Sequence, residues 1–188
     1  MTIADIERTI LLARMCDEQR NEERLEPRAD VATTTHNHAD FIARYVNQLP
    51  RSLSATEMGL RALELEDTVE PILNTIESFF TTGCELSQHG GLAALLDRAY
   101  LGHRLLEELN DHLHVRTGTW VLHTDMTEAN VQAHQLLGEP YASELDDIVL
   151  QVMDAFSHAL SIQTEVPILD SAIETLKPFA VSGDQRLK

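Results

Sequence analysis

Histidine residues are concentrated in one stretch of the chain. Six of the nine histidines lie between residues 89 and 134, where they are interleaved with carboxylates. Imidazole and carboxylate groups bind transition metals and transfer protons, so this stretch is where the residue types suggest chemistry. They do not form a recognised motif. The histidines are His89, His103, His112, His114, His123 and His134, and the acids interleaved with them include Glu107, Glu108, Asp111, Asp125 and Glu128.

The main hypothesis for chemistry is a metal site built from two imidazoles and one carboxylate. A helix predicted over about 92 to 115 places His103 and Glu107 one turn apart, beside a face of leucines. If residues 116–125 make a tight connection, the next helix runs antiparallel. Glu107 and His134 then both lie about 12 to 14 Å from that connection. His103, Glu107 and His134 are therefore the predicted ligands.

This ligand set suits zinc or a non-haem iron or manganese ion, because neutral nitrogen and anionic oxygen ligands match such divalent transition metals. An open coordination position would allow hydrolytic or redox chemistry. Nearer the connection, His114, His123 and Asp125 would form a second polar cluster. The chain has no P-loop, dinucleotide fingerprint or nucleophile-elbow motif, so no catalytic residue and no organic cofactor site is predicted. Whether the protein is an enzyme stays open.

The same residues also have a purely structural explanation, which we favour. Glu107 one turn from His103 is an ordinary helical pair, and Asp125 followed by Glu128 matches a helix cap with its reciprocal partner. His134 would then pack beside apolar residues of its own helix. In addition, the Glu-x-x-His signature of ferritin-like bundles and the His-x-x-x-His pair of hemerythrin-like proteins are both absent.

The charge balance restricts the class of partner. The chain has 31 acidic and 14 basic residues and a formal net charge of −17. Such a charge repels nucleic-acid phosphates and anionic lipid surfaces, so we predict neither a nucleic-acid nor a membrane partner. We read no signal peptide and no apolar run of about 20 residues, and therefore expect a cytoplasmic protein. The leading hypothesis is an acidic helical protein that acts through protein–protein interaction or self-association; the alternative is the helical-bundle metalloprotein described above.

The apolar pattern predicts an all-α fold. Apolar residues recur every three or four positions almost throughout, and sustained alternation is hard to find. We predict a single-domain helical bundle of about six or seven helices with short connections over residues 1–180, and a frayed tail over 181–188. Cys16 and Cys84 are expected to be buried, reduced thiols.

Turn and cap signals place the helix boundaries. Pro50 is expected to end the second helix, and Ser54 and Glu57 form a capping box that predicts a new helix start. Pro71 is expected to kink or break that third helix, and Gly83 to terminate it. The predicted helices lie near 2–24, 29–49, 55–82, 92–115, 126–137, 141–162 and 168–177.

Overall fold

A computed structural model describes residues 3–23, 32–81 and 91–162, with the side chains of 3–19, 37–80 and 91–159. Within these ranges the chain is an all-α helical bundle with short connections and no strands, which confirms the predicted fold class. The helices are α1 (Ile3–Glu23), α2 (Ala32–Ala62), α3 (Glu66–Thr81), α4 (Leu96–Thr117), α5 (Thr127–Leu137) and α6 (Tyr141–Ile162), and a 3-10 turn (Leu92–Leu95) precedes α4.

The central helix of the bundle is α4, which packs against α2, α3, α5 and α6. Its first half is buried on almost every side, from Leu96 through Leu106. A helix that is enclosed all round has no polar face turned to water, so each polar residue on it needs a protein partner. The histidine and carboxylate positions of interest lie on this helix and on its two successors, α5 and α6.

Four of the predicted helices agree with the structure within a few residues, namely those near 2–24, 92–115, 126–137 and 141–162. The predicted helix at 168–177, the tail at 181–188, Gly83 and Cys84 lie outside the described residues. Cys16 is only partly buried, so its predicted full burial is wrong. No helix in the described ranges combines the length and apolar character needed to cross a bilayer.

The predicted boundary at Pro50 is wrong. Helix α2 continues through Pro50 to Ala62, so Ser54 lies inside a helix and forms no capping box. Pro50 removes one backbone N–H from the helix interior, which costs about 3 kcal/mol. Burial of Leu49 and Leu53 on either side of it, both almost fully inaccessible, offsets that cost.

The break between α2 and α3 occurs at residues 63–65 instead. Glu64 has a left-handed backbone conformation, with φ of 56°. The Leu65 amide donates to the Leu60 carbonyl and the Glu64 amide to the Arg61 carbonyl, which is the hydrogen-bond pattern of a Schellman motif. Glycine usually occupies the left-handed position, and its absence explains why the sequence gave no signal here. Pro71 lies inside α3 and does not interrupt it.

Gly59 allows α2 to approach the connector between α4 and α5. A Cβ atom at Gly59 would lie 2.7 Å from the backbone oxygen of Val121 and 2.7 Å from its Cγ1 atom. Both distances are shorter than van der Waals contact, and a backbone oxygen cannot rotate away as a side chain can. Glycine at this position therefore sets how closely the connector packs on the bundle.

We predict that Gly59→Ala destabilises the protein. Alanine favours a helix over glycine by about 1 kcal/mol, but the clash with Val121 costs more, so we expect a net loss of about 1 to 2 kcal/mol in the free energy of unfolding. Urea denaturation measures it. The control is Met58→Ala at an exposed neighbouring position, which should change stability little. A Gly59→Ala protein as stable as wild type would show that the close contact is not a constraint.

Candidate functional site

Arg104 on α4 is the centre of a group of carboxylates. Its Nη1 atom donates to Glu107 Oε2 at 2.5 Å, its Nη2 atom to Glu108 Oε1 at 2.9 Å, and its Nε atom to Asp146 Oδ1 on α6 at 3.1 Å. Partial burial opposes the positive charge of Arg104, but the hydrogen bonds to Glu107 and Asp146 outweigh it and raise the guanidinium pKa. One cation therefore holds three acidic side chains and ties α4 to α6.

Glu107 extends this group to α5 and α2. Its Oε1 atom accepts from Thr127 Oγ1 and its Oε2 atom from Asn130 Nδ2, each at 2.8 Å. Asn130 in turn accepts from the hydroxyl of Tyr45 on α2 at 2.7 Å, and burial raises the pKa of that hydroxyl. Together with Arg104, these contacts leave both carboxylate oxygens of Glu107 occupied by hydrogen bonds within the protein.

His103 lies in the core beside this chain of contacts. It is 1% exposed, and its Nε2 atom is 3.1 Å from the backbone oxygen of Tyr45. A carbonyl only accepts, so Nε2 carries the proton and donates, which leaves Nδ1 as an acceptor. Nδ1 is buried without a hydrogen-bond partner. Burial lowers the pKa of His103 to about 4, because a second proton would place a charge in the core.

His134 on α5 faces a different set of groups. Its Nε2 atom is 3.4 Å from Asp146 Oδ2 and 3.5 Å from Glu139 Oε1. The His134 and Tyr100 rings form a T-shaped contact with centroids 6.0 Å apart, and the Tyr100 hydroxyl donates to Asp146 Oδ1 at 2.8 Å. His134 on α5 therefore lies at the level of Tyr100 on α4. It is Asn130, and not His134, that lies at the level of Glu107.

The connector between α4 and α5 explains this register. It does not turn tightly, because Asn110 holds it against α4: Asn110 Oδ1 accepts from the amides of Val121 and Leu122, and Asn110 Nδ2 donates to the Leu122 oxygen. The connector therefore runs back along α4 before α5 begins at Thr127. The prediction that His134 lies beside Glu107 assumed a tight connection. Because the connector folds back along α4, α5 starts further along that helix and His134 lies beyond the level of Glu107.

The three predicted metal ligands consequently occupy three neighbouring but different settings. His103 contacts a backbone carbonyl, Glu107 contacts Arg104 and α5, and His134 contacts Asp146. Within the described residues, no group of three or more His, Cys, Asp or Glu side chains is placed to hold a metal ion. The metal site stays a prediction to which this arrangement adds no support.

The second predicted cluster is also divided between separate contacts. His114 stacks on Trp120 with ring centroids 3.8 Å apart and an angle of 8° between the planes. Asp125 accepts from the Thr127 amide just before α5, which lowers the pKa of its carboxyl. The N-cap of α5 is Met126, without a side-chain cap hydrogen bond, so the predicted cap at Asp125 is wrong. His123 is exposed.

The structure contains a groove between α4 and α6 that the sequence did not indicate. Its volume is about 660 Å³. It combines apolar side chains, three carboxylates and a histidine, and it contains no lysine or arginine. Its lining residues are Glu108, Asp111, His112 and Val115 from α4, and Leu150, Gln151, Met153, Asp154 and Ser157 from α6.

Two apolar residues of the groove are open to solvent. Val115 is 85% exposed and Leu150 is 54% exposed, whereas Met153 is buried at the floor. The contacts Arg104 to Asp146 and His112 to Ser157 show that α4 and α6 run in the same direction. The available sequence signal was that Val115 and Leu150 fall outside the apolar stripes of their helices.

We predict that acid destabilises the protein through His103. The imidazole has an ordinary pKa of about 6.5 when unfolded and about 4 when folded, so between these values the unfolded chain binds the extra proton. The free energy of unfolding should therefore fall as the pH decreases from about 6.5 to about 4, by about 3 kcal/mol from this residue.

Denaturation of wild type and His103→Gln across this pH range measures the effect, since glutamine can still donate to the Tyr45 carbonyl. The variant should lack this part of the acid dependence. NMR titration of the wild-type imidazole is an independent check, and a His103 pKa near 6.5 would contradict the prediction.

We predict that Glu107→Ala lowers the free energy of unfolding by about 2 to 3 kcal/mol, because it removes hydrogen bonds from Arg104, Thr127 and Asn130 at once. The control is Glu108→Ala. It loses a single contact, to Arg104, which is more exposed than the contacts of Glu107, so it should cost less than about 1 kcal/mol. Equal losses in the two variants would refute the role of Glu107.

Elemental analysis of the same samples tests the metal hypothesis, which requires bound metal in wild type and its loss in Glu107→Ala.

Comparison of the chain with protein-family models, with curated proteins and with solved structures found no match in any of the three searches.

Proposed function

We propose that the protein acts by binding another protein through the groove between α4 and α6. The observation that carries the proposal is the lining of this groove, where solvent-exposed Val115 and Leu150 lie beside carboxylates. Apolar surface surrounded by polar groups is typical of protein interaction sites. By contrast, the polar residues around Arg104 already satisfy one another and have little left to offer a ligand.

Covering the two exposed apolar residues of the groove supplies part of the binding free energy. Complete burial of an exposed valine or leucine contributes about 1.5 to 3 kcal/mol. Val115 and Leu150 begin 85% and 54% exposed, so covering both contributes roughly 3 kcal/mol before any charge interaction. That corresponds to about a hundredfold in affinity.

The charge of the groove selects a basic partner. Glu108, Asp111 and Asp154 contribute carboxylates and the lining contains no cationic lysine or arginine. The chain as a whole carries a net charge of −17, so a second copy would be repelled over most of its surface. A partner with a basic binding surface would be attracted from a distance and would associate faster at low salt.

We predict that a photo-crosslinking amino acid at Leu150 captures one defined protein from an extract of the source cells. The same amino acid at Met58, which is 66% exposed on α2, is the control for nonspecific capture. Capture at Leu150 should disappear when Val115→Glu is added, because that change places a charge in the apolar part of the groove. Capture that persists in the Val115→Glu protein, or that is equal at Met58, would overturn the proposal.

A further inference from the structure

We infer that the partner element in the groove is an amphipathic α-helix with basic residues on both sides of its apolar stripe. The inference depends on the proposed function, and it specifies the secondary structure and charge of the partner. In the groove, buried Met153 and the exposed Leu150 and Val115 lie between Asp111 on α4 and Asp154 on α6.

The walls of the groove favour a helix over an extended segment. Both walls are helices, so their backbone N–H and C=O groups are already paired and cannot form a ladder with an added strand. An extended peptide would therefore lose backbone hydrogen bonds to water without replacement. A helix satisfies its own backbone groups and needs only side-chain contacts, which is what the groove provides.

The spacing of the lining residues matches the surface of a helix. On α4 they run from Glu108 to Val115, and on α6 from Leu150 to Ser157, so each row is about 10 Å long at the rise of a helix. Because α4 and α6 run in the same direction, Leu150 lies near one end of the groove and Val115 near the other. Apolar residues at i, i+4 and i+7 of a third helix would contact Leu150, Met153 and Val115 in turn.

The carboxylates place basic residues on both sides of that apolar stripe. Asp111 is exposed on the α4 wall and Asp154 is exposed on the α6 wall. Glu108 already accepts a hydrogen bond from Arg104 and has less to offer a partner. Arg116 follows Val115, so positive charge from a partner is disfavoured at that end; burial and the charge of Arg116 together lower the pKa of the neighbouring His112. The basic residues therefore belong beside Asp111 and Asp154.

The test uses a synthetic helical peptide of about 18 residues, with leucine at i, i+4 and i+7 and lysine on both flanks. Two further peptides serve as controls: an isomer with the same composition but no leucine stripe, and a version with glutamate in place of lysine. NMR chemical-shift mapping on the full chain locates binding, and titration gives its affinity. We expect shifts at 108–115 and 150–157 with the striped lysine peptide alone.

Charge reversal then checks the pairing. In Asp111→Lys/Asp154→Lys, affinity for the lysine peptide should fall by about tenfold, and the glutamate peptide should bind instead. Equal binding of the striped peptide and its isomer, shifts outside the groove, or unchanged affinity after charge reversal would each overturn the inference. If crosslinking at Leu150 captures a partner but the striped peptide does not bind, the helix is wrong and the proposed function stands; if neither binds, both fail.

Discussion

The enclosure of α4 by four other helices is the constraint on which the rest of the structure depends. A buried polar group costs free energy unless it is hydrogen-bonded, so the polar residues on the enclosed part of this helix need partners from neighbouring helices. Arg104 donates a hydrogen bond to Asp146, Glu107 accepts one from Asn130, and His103 donates one to the backbone oxygen of Tyr45. The residue types that suggested chemistry are thus the ones that join the helices.

The helix positions could be predicted where local signals and packing agree. Glycine with positive φ ends α4 at Gly118 and α5 at Gly138, and both boundaries follow from the sequence within two residues. At Pro50 the local signal and the packing disagree, and burial of the neighbouring leucines prevails. The turn at Glu64 has no glycine or proline to mark it, so only tertiary structure reveals it.

The candidate site was harder to predict, because it depends on the path of a connector. Depth counted from a tight connection brings His134 to the level of Glu107, but Asn110 holds the connector along α4 and shifts α5 by about one turn. A single asparagine side chain with three backbone contacts decides this register. The groove was missed for a related reason, since it depends on the direction in which α6 returns beside α4.

The stack of Trp120 on His114 has a consequence for spectroscopy. Trp120 is the only tryptophan in the chain, so intrinsic indole emission comes entirely from the junction of α4 with its connector. This junction lies at the edge of the bundle, where Trp120 is 43% exposed. Emission will report the release of the connector from the helix end, whereas circular dichroism reports the helices as a whole. A difference between the two signals would separate local opening from global unfolding.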